Sequence, residues 1–413
     1  MHINKLALAI LAVGIAGQAT AGGFALNDQS ISAGGTANAG RASNAIDASV
    51  VYGNPAAMIK LKQAQFTQAL AFIDAKTDIS NASNAPVVPT GVIPGTTNKG
   101  DIVPHTFVPS GFFTSGDKGG WAWGVAAYGS FGLKTNYERT FSGRHLGDKS
   151  KVEVITVQPV LSYRINDKVS IGGGPTINHL DAYLSRAAGV NSPLTAELEG
   201  SDYGYGANLG VLVDLAPDTQ AGLVYRSKVE YKVNDGSVKV KSGPNVVATL
   251  AASASTGLST PESLEGSISH KLNAKTTLHA GATWTRWSRL KDLTVVNNAN
   301  GAVVSKEVFD WKDSVGYAVG VTHACSDKLE MRAGLAYDNS PVAPEHRSVR
   351  LPSADRRIAS IGAGYKLSPT QTIDVSYTYL DEEKAQVRQA ASAYSADYSN
   401  KASIYGLQFT QKF

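Results

Sequence analysis

Lys312 stands directly before Asp313 in this chain, and Arg356 stands directly after Asp355. Ammonium and guanidinium groups are the hydrogen-bond donors that a carboxylate anion needs, so Lys312 and Arg356 are candidates for binding the charged group of a ligand. The same side chains could instead pair with the neighbouring aspartates, and Asp355 with Arg356 could anchor one segment to another. The sequence leaves both interpretations open.

Catalytic chemistry has little support in the sequence. Seven of the eight histidines lie after residue 21, and no Gly-x-Ser-x-Gly elbow, His-Glu-x-x-His motif or cysteine-based pair accompanies them. Cys325 is the single cysteine, so no intramolecular disulfide can form. We therefore expect a protein that is not an enzyme and that holds neither a cofactor nor a metal.

The first 21 residues have the composition of a secretory signal. Lys5 precedes an apolar stretch over 6–17, and the small-x-small sequence Ala19-Thr20-Ala21 follows it. The apolar stretch is too short for a permanent membrane helix. Removal of Lys5 lowers the formal charge from +4 to +3, which is too small to predict nucleic-acid binding.

Many later segments alternate apolar and polar residues with a period of two, most clearly at 276–286, 314–322, 329–337 and 373–379. This period is typical of strands with one apolar and one polar face. The mean hydropathy is −0.12, and no uncharged apolar run after residue 21 approaches the roughly 20 residues that a membrane helix needs. A helical membrane protein is therefore excluded, and an exported soluble β protein or a membrane β-barrel remains.

Short turns and long irregular stretches alternate along the chain. The turns are Asn166-Asp167-Lys168, Ala216-Pro217-Asp218, Asn273-Ala274-Lys275, Ser326-Asp327-Lys328 and Leu367-Ser368-Pro369, and the irregular stretches are 184–200, 233–262, 290–310, 338–354 and 384–400. This asymmetry favours a membrane barrel, because such barrels have short turns at one end and long loops at the other. Fourteen strands are predicted, at 64–76, 105–115, 120–132, 151–165, 168–183, 201–215, 219–232, 263–272, 276–289, 312–324, 328–338, 355–366, 371–383 and 401–413.

A series of short segments resembles the long-chain fatty-acid outer-membrane transporters, the FadL/TodX (OMPP1) family, in the order in which that family has them. They include Gly23-Phe24-Ala25-Leu26-Asn27, Ala39-Gly40-Arg41, Asn54-Pro55-Ala56, Tyr128-Gly129-Ser130-Phe131-Gly132-Leu133, Thr283-Trp284-Thr285-Arg286-Trp287-Ser288, Trp311-Lys312-Asp313 and Leu351-Pro352-Ser353-Ala354-Asp355-Arg356. The resemblance extends over essentially the whole chain after residue 21.

The resemblance implies an all-β membrane protein, a 14-stranded antiparallel transmembrane β-barrel with an N-terminal plug, or hatch, inside the lumen. The implied division is a signal peptide at 1–21, a plug at 22–62 and a barrel at 63–413. The expected location is the outer membrane of a Gram-negative bacterium. The expected partners are a long-chain fatty acid or other hydrophobic small molecule, outer-membrane lipid and lipopolysaccharide, and the barrel assembly machinery; we expect a monomer that binds no nucleic acid.

The implied function is uptake of hydrophobic molecules, which bind in the lumen, pass the plug as it rearranges and leave sideways at a kink in the third strand. The segment Gly129, Ser130, Phe131 and Gly132 is the expected exit, because paired glycines in a strand permit a bulge or bend. A transporter of aromatic hydrocarbons from the same family and a diffusion porin for small solutes are the alternatives.

Apolar residues in two places suit an alkyl chain. Phe24 and Leu26 begin the mature chain, and Val246, Val247 and Leu250 lie in a loop that is unusually apolar, which could be a short helix at an outer groove or could pack to seal the barrel.

Two further expectations concern placement. Asn54, Pro55 and Ala56 are expected to form a turn in the plug, held against the wall near Asp355 and Arg356. An aromatic girdle at the membrane surface is expected to contain Trp284, Trp287 and Tyr379.

Overall fold

The computed structural model describes residues 23–83, 97–190, 192–389 and 394–413, so the predicted signal sequence lies outside the described residues. Two short helices, α1 (Ile31–Gly34) and α2 (Val50–Gly53), and a 3-10 helix at Pro55–Lys60 precede the strands. None of the helices in the described ranges is long and apolar enough to cross a membrane.

Strands make up most of the rest of the described chain. They are β1 (Gln65–Ser80), β2 (Thr106–Thr114), β3 (Trp121–Asn136), β4 (Lys149–Arg164), β5 (Val169–Ala187), β6 (Thr195–Ala216), β7 (Thr219–Arg226), β8 (Val229–Ser242), β9 (Asn245–Thr260), β10 (Ser263–Lys271), β11 (Thr276–Thr285), β12 (Asp292–Asn297), β13 (Val303–Val308), β14 (Ser314–Ala324), β15 (Leu329–Asp338), β16 (Arg356–Ser368), β17 (Gln371–Glu382), β18 (Ala385–Gln389) and β19 (Tyr394–Lys412). Two single-turn 3-10 helices, Trp287–Arg289 and Pro344–His346, lie in the connections.

Fourteen of the strands in these ranges form one closed antiparallel barrel. The ring runs from β1 to β7, then through β10, β11, β14 to β17 and β19, and β19 pairs with β1 over Gln65–Ser80. These are the fourteen strands that the sequence predicts, and the five predicted short turns each join neighbours in the ring. The prediction is confirmed because both signals, period-two alternation and turn chemistry, are local.

The two faces of the wall differ in polarity. On β15, Leu335 is 61% exposed on the outside while Arg332, three residues earlier, is 5% exposed on the inside. On β17, Val375 is exposed and Asp374 is buried. The apolar side chains therefore face outward and the polar ones inward, which is the reverse of a water-soluble protein and the pattern of an outer-membrane barrel.

The other five strands in the described ranges extend the barrel at the end where long loops were predicted. β8 pairs with β6 and β9, β9 with β12, β12 with β13, and β18 with β19. The prediction that 233–262, 290–310 and 384–400 are irregular is therefore wrong. The short helix considered around Val246 and Leu250 is also wrong, because these residues lie in β9 and pair with β8.

The N-terminal segment, residues 23–62, packs against the strands of the ring. Helix α1 packs on β16, β17 and β19, α2 packs on β2 and β3, and the 3-10 helix at Pro55–Lys60 packs on β3 to β6. The segment approaches the wall closely enough to require glycine there. A Cβ on Gly222 of β7 would lie 1.8 Å from the Ala42 carbonyl oxygen, and one on Gly334 of β15 would lie 2.2 Å from the Thr36 carbonyl carbon.

We expect Gly222→Ala to loosen the N-terminal segment, because the new methyl group would overlap a backbone carbonyl that cannot rotate away. Overpacking of this kind costs about 1–3 kcal/mol. The free energy of unfolding in urea should fall, and protease should cut residues 23–62 in the otherwise folded barrel.

Gly266→Ala on the neighbouring strand β10 is the matched control, since its Cβ would meet the nearest atom at 3.5 Å, an ordinary contact. Equal stability and equal protease resistance in both variants would contradict the close packing.

Candidate ligand site inside the barrel

The wall of the barrel is interrupted beside β3. Pairing between β2 and β3 covers Ser110–Thr114 with Gly124–Tyr128, although β2 pairs with β1 along its whole length, Thr106–Thr114. Beyond Tyr128, no ladder joins the described residues of β2 to β3, whereas β3 continues along β4 after a register shift between Gly129 and Phe131. The bulge predicted from the paired glycines is therefore present, with Ser130 as the extra residue.

Residues 24–29, here called the strap, provide the hydrogen-bond partners that β3 lacks at this gap. The Leu26 amide donates to the Ser130 carbonyl (3.0 Å), and the Gly132 amide donates to the Phe24 carbonyl (2.9 Å). Gln29 donates through Nε2 to the Gly129 carbonyl (2.8 Å). The strap thus takes the place of β2 along β3, from inside the barrel.

An aromatic cluster holds the first residue of the strap. The Phe24 ring lies 5.1 Å from Trp287, 5.7 Å from Phe131 and 6.0 Å from Trp311, measured between ring centroids. Trp287 is almost fully buried, so its predicted place in an aromatic girdle is wrong. It lies in a 3-10 turn after β11 rather than on the outward face of a strand, which alternation alone does not reveal.

An apolar pocket of about 100 Å³ opens beside this cluster. Phe24, Leu133, Leu180, Leu258 and Trp311 are among its lining residues. Polar side chains from the loop before β16, including Arg350, stand at the pocket as well. Carbon side chains dominate the lining, so the pocket suits an alkyl or aromatic group.

A second cavity, of about 180 Å³, lies on the other side of the strap and is called the polar cavity. The strap residues Ala25, Leu26, Asn27 and Asp28 line it, together with Ser130 and Phe131 of the bulge. Its wall includes residues of β3 to β7, β10, β11 and β14 to β17, and the part made by β7 and β10 is here called the far wall. The strap thus lies between the apolar pocket and the polar cavity. It also borders the gap in the wall.

A buried ion cluster fastens the N-terminal segment to the far wall. Glu265 of β10 accepts from Arg41 Nε and Nη2, each at 2.9 Å, and from Arg226 Nη1 of β7 at 2.9 Å. Both guanidinium groups lie over the Tyr52 ring, at 5.4 Å for Arg41 and 4.7 Å for Arg226. Burial opposes the charge on Arg41, but attraction to Glu265 outweighs it and raises the pKa of that guanidinium above its ordinary value.

A second anchor joins the segment to the opposite wall. Gln408 Nε2 donates to Asp47 Oδ2 at 2.8 Å and lies 3.4 Å from Asp374 Oδ2, and Arg332 donates to the other oxygen of Asp374 at 2.6 Å. Asp47 also accepts from Ser32 at 2.6 Å. Sequence reasoning missed both anchors, because their members lie up to 361 residues apart.

The turn at Asn54-Pro55-Ala56 forms as predicted but lies elsewhere. Asn54 caps the 3-10 helix by accepting from the Ala56 amide (3.0 Å), and its Nδ2 donates to the carbonyls of Ala42 (2.6 Å) and Val211 (3.0 Å). The expectation that it lies near Asp355 and Arg356 is therefore wrong, since its wall contacts are with β6 and β7.

The predicted basic residues have structural partners or face outward. Arg356 is buried and donates through Nε to Glu382 at 2.6 Å, while Asp355 accepts from Tyr337 at 2.7 Å and from the Ser340 amide at 2.8 Å. Lys312 is exposed, and neither cavity includes it. Neither the apolar pocket nor the polar cavity is therefore lined by Lys312 or Arg356.

Of the apolar residues predicted to contact an alkyl chain, some line the two cavities and others do not. Phe24 lines the apolar pocket and Leu26 the polar cavity, one on each side of the strap. Val246, Val247 and Leu250 are exposed near the tip of the β8–β9 hairpin and line neither cavity. Within the described ranges, no group of three or more His, Cys, Asp or Glu residues is placed to hold a metal.

Comparisons with known proteins agree with this architecture. The family model described as outer membrane protein transport protein (OMPP1/FadL/TodX) matches residues 12–413. A long-chain fatty acid transport protein of Escherichia coli O6:H1 is 28% identical over 99% of this chain and 98% of the relative, and outer membrane protein P1 of Haemophilus influenzae is 28% identical over 99% of both.

Solved structures share the fold. A FadL homologue of Pseudomonas aeruginosa superimposes with a TM-score of 0.83 at 22% identity, over 95% of this chain and all of the other. The toluene transporter TodX of Pseudomonas putida gives a TM-score of 0.67 at 15% identity, over 90% and 95%. Because the family model covers nearly the whole chain, the protein belongs to the OMPP1/FadL/TodX family of outer-membrane transport proteins.

Proposed function

We propose that the protein imports long-chain fatty acids across the outer membrane. In this proposal the acyl chain enters the apolar pocket, the strap moves away from β3, and the substrate leaves sideways between β2 and β3. The observation that carries the proposal is the strap itself, which covers the gap in the wall by hydrogen bonds to Ser130 and Gly132 and also lines the apolar pocket through Phe24.

The energetics of an acyl chain favour a sideways route. Each buried methylene contributes about 0.8 kcal/mol, so a chain that crossed a water-filled passage would lose most of the free energy gained in the pocket. A gap that opens toward lipid avoids this loss. Phe24 is packed among Phe131, Trp287 and Trp311, and its withdrawal with the strap would enlarge the apolar pocket toward the gap.

Residues 22–62 act as the plug in this proposal, and 63–413 as the barrel. The outward apolar face would contact lipid, with the short turns in the periplasm and the extended hairpins outside the cell. The exposed side chains of Trp121, Trp123 and Tyr163 lie close to the short turns. They suit the periplasmic surface of the outer membrane. We propose a monomer that is inserted by the barrel assembly machinery and surrounded by lipid and lipopolysaccharide.

Fatty acids are favoured over aromatic hydrocarbons by the curated relatives. The relatives that align along the whole chain at 26–28% identity include several named long-chain fatty acid transport proteins. The toluene transporters match at 15–16% identity, which supports a shared fold and no more.

Uptake of labelled oleate and of labelled toluene by cells with and without the protein tests the substrate class. We expect oleate uptake to depend on the protein, because the apolar pocket beside Phe24 suits an alkyl chain. Equal oleate uptake in both strains would overturn the fatty-acid proposal, and toluene uptake that alone depended on the protein would favour the aromatic alternative.

Deletion of Ser130 tests the lateral exit. Removing the extra residue should restore regular pairing along β3 and close the gap, so we expect oleate uptake to be lost while the barrel still assembles and still binds oleate at its surface. Ser130→Gly keeps the residue count and is the control. Normal uptake by the deletion variant would exclude an exit at this bulge.

Conductance in planar bilayers distinguishes the proposal from a diffusion porin. We expect the purified protein to give no steady large channel, because the N-terminal segment is fastened to the wall at Glu265 and Gln408. Steady large channels from the intact protein would support the porin alternative. A variant that lacks residues 23–62 serves as the reference for the conductance of the barrel without its N-terminal segment.

A further inference from the structure

We infer that the polar cavity contains a receiving site for the substrate's carboxylate, formed by Asn208 of β6 and Arg226 of β7. This inference rests on the proposed function and specifies it, because such a site would select ionised acids over neutral hydrocarbons. Neither residue belongs to the sequence motifs discussed above, and both line the polar cavity beyond the strap.

The two residues stand side by side on the inner face of the wall. Asn208 and Arg226 are direct partners in the antiparallel register of β6 and β7. Side chains at such positions are neighbours, with Cβ atoms about 4.5–5.5 Å apart. Their polar groups can therefore act on one ligand together.

Their hydrogen-bonding groups are unused. Asn208 is 1% exposed, yet neither Nδ2 nor Oδ1 has a partner among the described residues, and the same is true of Arg226 Nε. The other Arg226 nitrogens are occupied, by Glu265 and by the carbonyls of Tyr52 (3.0 Å) and Gly53 (3.2 Å). Buried polar groups are normally satisfied, so this adjacent set needs an explanation.

Neighbouring polar residues in the same cavity are satisfied within the chain. Thr156 donates to Asn178 Oδ1 at 2.7 Å and lies 2.8 Å from Ser130 Oγ, and Asn178 donates to Thr176 Oγ1 at 3.1 Å. Asn38 keeps an unbonded Oδ1, which is an acceptor and suits water rather than an anion. Among the described residues that line the polar cavity, the buried donors without a partner are therefore those of Asn208 and Arg226.

The chemistry of these donors fits a carboxylate. An Nε–H of a guanidinium and an Nδ2–H of an amide can each meet one carboxylate oxygen, and hydrogen bonds to ionised groups are the stronger kind. Glu265, Asp28 and Asp338 are the carboxylates that share the cavity. With Arg41 and Arg226 these give the lining a formal charge of −1, so recognition would depend on the local donors of the paired residues and not on the charge of the cavity as a whole.

The position suits the last step of the proposed path. The polar cavity extends from Asn208 and Arg226 to Tyr128, Ser130 and Phe131 at the gap. A substrate whose alkyl tail enters lipid through the gap could keep its head in the cavity, where the donors hold its charge until release. A hydrocarbon without a head would leave the same donors unbonded.

Asn208→Leu tests the inference with little structural disturbance, because the amide makes no hydrogen bond that the substitution would remove. We expect the thermal stability of the barrel to be unchanged or higher and oleate uptake to fall about tenfold. Uptake of methyl oleate, which has the same chain and no charge, should be unaffected. Asn208→Gln, which keeps an amide donor, should recover part of the oleate uptake.

Each outcome is decisive. If Asn208→Leu takes up oleate as fast as the wild-type protein, the pair holds water only. If the variant loses oleate and methyl oleate uptake equally, Asn208 has a purely structural role. Either result overturns the inference. If Asn208→Leu fails to assemble, Asn208→Ala makes the same test without added bulk. Failure of the proposed function is distinguishable, because wild-type protein would then import no oleate at all.

Discussion

The hydrogen bonds between the strap and β3 are the interaction on which the rest of the site depends. A closed barrel in lipid must satisfy the backbone groups of every strand, since none can turn to water. The bulge at Ser130 takes β3 away from β2, and Phe24 and Leu26 supply the partners instead. The wall at this point is thus completed by a segment that is not part of the barrel, so strap position and wall closure are linked.

The strap and the body of the N-terminal segment are held by different kinds of contact. Its bonds to Ser130, Gly132 and Gly129 are uncharged and contribute about 0.5–1.5 kcal/mol each, with about 1.5–3 kcal/mol from burying Phe24. The anchor at Glu265 is a buried ion cluster, and separating one partner of such a cluster costs about 3–5 kcal/mol. Movement of the strap would break mainly neutral hydrogen bonds to β3, whereas movement of the body of the segment would separate buried charges at Glu265.

Glycine and other small residues allow this arrangement. Gly222 and Gly334 bring the wall within contact of the backbone at Ala42 and Thr36, so no side chain separates the two at these points. Two of the cavities border the strap, namely the apolar pocket and the polar cavity. An amphipathic substrate has one part suited to each compartment, which a uniformly polar pore would not offer.

The sequence by itself determined the fourteen strands of the ring, the short turns, the bulge at Gly129 to Gly132 and the family, because alternation, turn residues and motif order are local properties of the chain. It did not determine the five strands that extend the barrel. Only the tertiary structure decided which residues lie opposite each other across the lumen. The burial of Trp287, the pairing of Arg356 with Glu382, the place of Asn54 against β6 and the adjacency of Asn208 to Arg226 all depend on ring closure and register. A period of two tells which side a residue faces, but it carries no information on which distant strand or segment lies opposite.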